Sequence, residues 1–572
     1  MRLTMRTATT VTATRRRGIP VRGLLFVLLL VVTGGVHAGR LPGMAVATAD
    51  PLATAAGLEI LDAGGNAFDA AVAVAAALAV VEPYSSGIGG GGFWLLHREA
   101  GAVDVMLDGR EQAPGAAHRD MYLDAAGNVV AGASINGPLA AAIPGVPAAL
   151  DHLARHYGKL PLNRALAPAI RYARNGFVVD EHYQRMARFR LETLRRSAAA
   201  AAIFLHDGDV PPLGHVIKQT DLAGTLERLA ASGAAGFYQG EVGTRLVDGV
   251  RAAGGIWSPD DLAGYRVVER VPVRGSYRGM QIVTAAPPSS GGIALLEMLN
   301  VLDGYDLAAY PAVTQKHLIV EAMRRAYRDR AEYLGDPDFV DVPVARLTHP
   351  LYAAGLRAGI RTDRATPSAM LPGTAGAAGG NDTTHFSILD RDGNRVAATL
   401  SINLPFGSAF VAPGTGVLLN DEMDDFSAKP RVPNAYGLVG ADANAIAPGK
   451  RPLSSMTPTF LENDRGIAIL GTPGGSRIIT MVLLATLDYA AGGDPAGMVG
   501  LKRYHHQYLP DEIQFEPGAL TDAEVAGLTA LGHTLAPRSD PYGNMQAIVW
   551  NRRTGRIEAA SDPRYGGGAT VR

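Results

Sequence analysis

At Thr383 the chain changes character, and that junction constrains the fold more than any other feature. Upstream, the run from Arg361 to Asp382 is mostly Pro, Gly, Ala and small polar residues with few apolar anchors, the composition of a mobile linker. Downstream, Thr384 to Leu389, then Asp390-Arg391-Asp392-Gly393-Asn394, then Arg395 to Ser401 read as a β-hairpin turning at the Asp-Gly pair. Pairing Leu389 with Arg395 sets an antiparallel register in which Ser401 lies across from Thr383. Threonine and serine also favour strands and turns for purely structural reasons, so the hairpin alone assigns no chemistry.

A cut between Asp382 and Thr383 would make the threonine a new N-terminus. One residue would then carry both a hydroxyl nucleophile and an α-amine base. Such an amine titrates at about pH 8, so much of it can accept a proton at neutral pH without any histidine. A second hydroxyl, on Ser401, would be placed to hydrogen-bond the nucleophile.

The pattern on either side of the junction predicts an α+β fold. From about Leu139 to Leu356 it is mostly helical, as at Val146 to Tyr157, Leu222 to Ser232 and His317 to Leu334, with strand-like pieces such as Gln281-Ile282-Val283. After Thr383 further hairpins are expected at Thr459 to Leu470 and Met545 to Ala560, with helices at Ile478 to Ala491 and Asp522 to Leu531. Alternating hairpins and helices fit two stacked sheets covered by helices on both sides. Near the start, Asn66 and Asp69 form a capping pair for a core helix from Ala67 to Val81, too short to span a membrane. Gly87 to Gly92 formally satisfies G-x-G-x-x-G. A helix precedes it and an apolar run follows, the reverse of a nucleotide site, so it reads as a tight backbone crossing.

At 572 residues, 47% hydrophobic and 19% charged, the chain is an ordinary globular protein of two expected structural units. Residues 1–38 read as an export signal: six arginines (Arg2, Arg6, Arg15, Arg16, Arg17, Arg22), an apolar stretch from Leu24 to Val32, and Val36-His37-Ala38 as the cleavage site. An uncleaved anchor is the alternative. The leader has no acidic residue and the formal net charge is −1, so the remainder is mildly acidic, with no basic cluster for nucleic acid. Zero cysteines exclude disulfides, thiolate catalysis and Cys-ligated zinc. His505-His506 with Asp511-Glu512 could suggest a metal, but adjacent residues of a strand face opposite sides, so these are read as structural. No cofactor is expected, and phosphate-loop and G-x-S-x-G signatures are absent.

Three further segments follow Thr383-Thr384-His385 in order: Asn420 to Phe426, Arg451 to Met456 and Gly471 to Arg477. With Asp108 to Pro114, Gly64 to Ala67 and Ile88 to Phe93 upstream, they closely resemble the γ-glutamyltranspeptidases over essentially the whole chain after the leader. The resemblance implies a four-layer αββα sandwich of the N-terminal-nucleophile hydrolase type. It also implies self-cleavage by Thr383 attack on the Asp382 carbonyl, leaving a large subunit (39–382) and a small subunit (383–572) as a heterodimer. Gly474 and Gly475, between a strand and a helical run, would line the oxyanion hole. Arg110, Ser454 and Ser455 would take a donor's α-carboxylate, and Glu422, Asp425 and Asn403 its ammonium. Taken singly, each reads more readily as a surface or turn residue, and it is their matching identity and order that reverse this. The long Pro/Gly/Asn-rich stretch from Ala428 to Pro452 would lid the pocket through Tyr436.

Two departures stand out: Ser401 where many relatives have threonine, and Glu422 where some bacterial relatives have glutamine. The expected activity is transfer or hydrolysis of γ-glutamyl amides such as glutathione, with an amino acid, peptide or water as acceptor. A glutaryl or cephalosporin acylase, a poly-γ-glutamate depolymerase, and an unprocessed periplasmic binding protein are the alternatives. Glu422 and Asp425 weigh against a glutaryl donor, which has no amine to pair with them.

Overall fold

Two antiparallel sheets stacked face to face carry the fold. One runs, edge to edge, through Gly568–Val571, Ala45–Thr48, Thr384–Leu389, Arg395–Ser401, Gly91–Arg98, Val103–Asp108 and Val268–Arg270. The other runs through Ile557–Ser561, Gln546–Asn551, Gly466–Gly471, Thr459–Glu462, Met280–Thr284 and Val273–Tyr277. Strands from both sides of Thr383 therefore contribute to each sheet, interleaved in the first and as two adjacent blocks in the second. The structure is a computed structural model that describes residues 40–371, 383–429 and 432–572, and residues 40–572 form one compact unit.

Strand alternation builds the layers. Phe386 and Ile388 of Thr384–Leu389 join the apolar cluster of helices Pro51–Asp62 and Ala67–Val81. Leu389 joins the other core with the second sheet, and the Ser387 hydroxyl donates at 3.3 Å to the Ile469 and Gln546 carbonyls across the sheets. Beyond the second sheet lie Gly291–Leu302 and Ile478–Ala490, with Ala312–Tyr333 packed on the former. The result is the αββα sandwich expected from the sequence. Ala67–Val81 starts at the predicted capping box: the Asn66 side chain accepts from the Phe68 and Asp69 N–H groups, and Asp69 accepts from the Asn66 N–H. All its residues are buried, and its small side chains allow the close approach.

The hairpin register is the predicted one, with Leu389 opposite Arg395 and Thr384 opposite Leu400. On its other side Ser401 pairs with Gly91. The glycine run is a backbone crossing: a Cβ at Gly89 would overlap the Leu418 carbonyl, and one at Gly90 the Ser401 carbonyl. The hairpins Thr459–Glu462/Gly466–Gly471 and Gln546–Asn551/Ile557–Ser561 also form where predicted.

One expectation needs correction. The linker was expected to be mobile from Arg361, yet residues 361–371 are docked. The Arg361 carbonyl meets His317 Nε2 at 2.6 Å, and the Thr366 N–H donates to Glu321 at 3.0 Å. The Ser368 hydroxyl accepts from Arg324 at 2.6 Å, and the Ser368 N–H donates to Asp511 at 2.7 Å. A buried charged cluster on Ala312–Tyr333 replaces the missing apolar anchors. Asp382 and the rest of the linker, like the leader, lie outside the described residues.

That cluster brings His317, Glu321 and His533 together in metal-ligating fashion, but their atoms are already engaged. Glu321 is paired with Arg324 and Arg325, and His317 Nδ1 is 2.7 Å from His533 Nε2. His505 bonds Thr480 and Gln507, while His506 bonds Asp511, so the doublet splits between different partners. Among the described residues no helix is long and apolar enough to cross a membrane.

Candidate active site

Thr383 stands immediately before the strand Thr384–Leu389, only 4% exposed, between two cavities. The inner one, about 20 Å³, is lined by Thr383, Ser401, Asn403, Arg110, Glu422, Asp425, Ser454, Ser455, Tyr436 and Gly475. The outer one, about 510 Å³, is bounded by Thr383, Glu82, Ser85, His182, Arg185, Gly474, Tyr542, Arg564 and Tyr565. Every predicted site residue within the described chain borders one of the two.

Side-chain bonds fix what each inner group can do. The Ser401 hydroxyl accepts from the Asn403 N–H at 2.7 Å, leaving its own hydrogen to donate. Asn403 sits at φ 75°, a left-handed conformation that asparagine tolerates. Its Nδ2 donates to the Asp421 carbonyl at 3.0 Å, which leaves Oδ1 as the acceptor. The Ser454 hydroxyl accepts from the Met456 N–H at 3.1 Å and that of Ser455 from Arg330 at 3.2 Å.

Arg110 is fully buried and has Glu422 on one nitrogen and Asp425 on the other, with Nε donating to the Pro452 carbonyl at 3.2 Å. The groups expected to grip opposite ends of a donor are thus paired with each other, which closes the cavity to about the size of one water molecule. Glu111 lies behind, 3.5 Å from the guanidinium. Three carboxyl groups now share one cation. Burial, opposed by Arg110, pushes Glu111 up to about 7 and holds Glu422 and Asp425 above the usual carboxylate range. Glu422 Oε2 and Glu111 Oε1 have no hydrogen-bond partner among the described residues.

Gly474 (φ 137°) and Gly475 (φ 57°) make the turn that opens helix Ile478–Ala490 through a 3₁₀ segment, Gly475–Arg477. The first amides of such a segment have no intrahelical partner and point outward with the positive end of the helix dipole. Tyr436 closes over them, since a Cβ on Gly475 would enter its ring. The tyrosine is 5% exposed, and its hydroxyl donates to the Asn403 carbonyl at 2.7 Å.

Sequence reasoning missed Glu111, Arg330 and the turn before helix Gly291–Leu302. That turn clamps Ser454: its N–H donates to the Pro288 carbonyl at 2.9 Å, and its carbonyl accepts from the Ser290 N–H at 2.8 Å and hydroxyl at 2.6 Å. The Pro287-Pro288-Ser289-Ser290-Gly291-Gly292 cluster between a strand and a helix was the available signal.

A threonine hydroxyl at a strand start, outward amides at a helix opening and a cavity with both charge signs suit acyl transfer on a small zwitterion. Comparison with known proteins agrees. The gamma-glutamyltranspeptidase family model matches residues 53–571. A glutathione hydrolase proenzyme of Escherichia coli (strain K12) is 42% identical over 527 residues, covering 91% of this chain and 90% of the relative. Among solved structures, a cephalosporin acylase from Bacillus halodurans superposes with TM-score 0.81 at 29% identity, covering 93% of this chain and 96% of that one. A Helicobacter pylori gamma-glutamyltranspeptidase chain superposes with TM-score 0.55 at 41% identity, covering 56% of this chain and 93% of that one. With a family match across nearly its whole length, this chain belongs to the γ-glutamyltranspeptidase family.

Proposed function

We propose that this protein is an exported, self-processing γ-glutamyltransferase and hydrolase of glutathione-like γ-glutamyl amides. The observation that carries this reading is the position of Thr383 at the mouth of a cavity holding one guanidinium, two hydroxyl donors and two carboxylates. That set matches an amino acid's carboxylate and ammonium.

In maturation, the Thr383 hydroxyl adds to the Asp382 carbonyl and the peptide nitrogen leaves as the free Thr383 amine. Water cleaves the resulting ester, giving the heterodimer of residues 39–382 and 383–572. In turnover, the donor's α-carboxylate takes Arg110 with Ser454 and Ser455, while its ammonium takes Glu422 and Asp425 beside Asn403. The pairing of Arg110 with these acids is exchanged for pairing with the ligand, which keeps every buried charge compensated.

Thr383 Oγ then attacks the γ-carbonyl, its proton passing to the α-amine. The Gly474 and Gly475 amides hold the oxyanion, an interaction worth about 3–4 kcal/mol per donor. Ser401 donates to the nucleophile oxygen. The amine returns its proton to the leaving amide nitrogen, and water or an amino acid or peptide then resolves the γ-glutamyl ester from the outer cleft. Kinetics are ping-pong.

The fold likeness to a cephalosporin acylase keeps a glutaryl donor as the second reading. It would leave Glu422 and Asp425 without an ammonium. Side-by-side hydrolysis of γ-glutamyl and glutaryl p-nitroanilides decides: at least about a hundredfold preference in kcat/KM for the γ-glutamyl compound is expected, and preference for the glutaryl compound overturns the reading.

A further inference from the structure

Arg330, on the helix Ala312–Tyr333, does not line the inner cavity, yet it holds both serines that do. It is 5% exposed and makes no ion pair with the described residues. Its Nη2 donates to the Ser455 hydroxyl at 3.2 Å. Its Nε donates at 3.0 Å to the Ser290 hydroxyl, which itself donates to the Ser454 carbonyl at 2.6 Å. A buried guanidinium without a carboxylate partner is costly unless another anion compensates it.

The direction of these bonds has a chemical consequence. A hydroxyl oxygen that accepts from a guanidinium is left with its hydrogen as the group to offer. Ser455 is therefore a donor toward the cavity. Ser454, accepting from the Met456 N–H, is a donor as well. Two hydroxyls fixed as donors, backed by a buried cation, form an anion cradle on the side of the cavity where Ser454 and Ser455 lie. Polarisation by a charged donor strengthens the hydrogen bond that the hydroxyl then donates outward.

We propose that Arg330 is a positioning residue for donor specificity: acting through Ser455 and Ser290, it selects the ligand carboxylate that enters between Arg110 and the two serines. This rests on the γ-glutamyl reading above and deepens it by assigning recognition of the carboxylate to a second, hidden arginine. Asp425 lies close enough to attract Arg330, and Arg110 close enough to repel it. Occupation of the cavity by a carboxylate relieves that repulsion between the two arginines.

The test is steady-state hydrolysis of γ-glutamyl p-nitroanilide and of 4-aminobutyryl p-nitroanilide, which lacks the carboxylate, by wild type and by Arg330→Met, Arg330→Gln and Arg330→Lys. The Met and Gln variants should raise KM for the γ-glutamyl compound at least about tenfold, with kcat changed less than about threefold. The carboxylate-free compound should be affected less than about twofold, and Lys should restore much of the lost affinity. In a Ser455→Ala background, Arg330→Met should cost markedly less than alone.

An unchanged KM, equal losses on both compounds, a Gln variant as good as the Lys variant, or full additivity with Ser455→Ala overturns the proposal. So does failure of all three variants to mature, which marks Arg330 as purely structural. Failure of the wild type to hydrolyse γ-glutamyl p-nitroanilide would instead overturn the underlying functional reading.

Discussion

The two cavities that meet at Thr383 differ in kind. The inner one is closed to about 20 Å³, and its charged and hydroxyl groups are held by buried partners: Arg110 by Glu422 and Asp425, Ser455 by Arg330, Asn403 by Asp421. The outer one is a cleft of about 510 Å³ bordered by His182, Arg185, Tyr542 and Tyr565. A preorganised polar cavity discriminates strongly, because a wrong ligand leaves buried groups unpaired. An open cleft discriminates weakly. In the proposed reading, selectivity therefore resides in the donor's γ-glutamyl end, and the leaving-group and acceptor side is permissive.

Substitutions should break or sharpen that contrast in graded fashion. The largest effect belongs to the boundary itself: Thr383→Ala is expected to leave a single uncut chain on a denaturing gel and no detectable turnover of γ-glutamyl p-nitroanilide. Next comes Arg110→Met, which strands Glu422 and Asp425. A cost of about 3–5 kcal/mol is expected for one partner of a buried pair, read as a fall in kcat/KM of a hundredfold or more together with a lower Tm.

Gly475→Ala should follow, since its Cβ would displace Tyr436 and its φ of 57° disfavours a side chain. A loss in kcat of about tenfold to a hundredfold is expected. In the proposed reading Glu422→Gln removes part of the ammonium grip, and it should raise KM about tenfold. The smallest effect is predicted in the outer cleft: Arg185→Ala should change hydrolysis of the anilide less than about threefold, and act mainly on rates with a peptide acceptor. A larger effect on hydrolysis than that of Glu422→Gln would erase the distinction between the cavities.

Acidity offers an independent probe of the inner side. Burial raises the Glu111 carboxyl to about 7, and Glu422 and Asp425 are raised as well. Groups with raised values lose their charge as pH falls through those values, so the negative charge around the cavity, that of Glu111 included, drops as pH falls through about 7, and ammonium binding should weaken over that interval. KM for the donor should rise over that interval, and Glu422→Gln should flatten the rise. A KM independent of pH in the wild type would contradict the carboxylate assignment.

Local signals made much of this legible in the sequence. The Asp-Gly turn fixed the register that brings Ser401 opposite Thr383, and Asn66 with Asp69 marked the start of the core helix. The context of Gly87 to Gly92 identified a backbone crossing. The remainder depends on contacts between distant segments. Arg110 pairs with Glu422 more than three hundred positions away, so its engagement with the acids of its own pocket leaves no local pattern. Arg330 looks like an ordinary helix arginine until Ser290 and Ser455 are placed beside it. The docking of residues 361–371 was hidden for the same reason: their small polar side chains and backbone bind buried charges on a distant helix, an anchorage that hydrophobic patterning does not register.

The most direct test of the central claim is a denaturing gel of the purified protein with N-terminal sequencing of the smaller band. Two fragments, the shorter beginning Thr-Thr-His-Phe-Ser, are predicted, with γ-glutamyl hydrolysis appearing in step with the cut. An intact chain that hydrolyses γ-glutamyl p-nitroanilide, or a smaller fragment beginning anywhere other than Thr383, would contradict it.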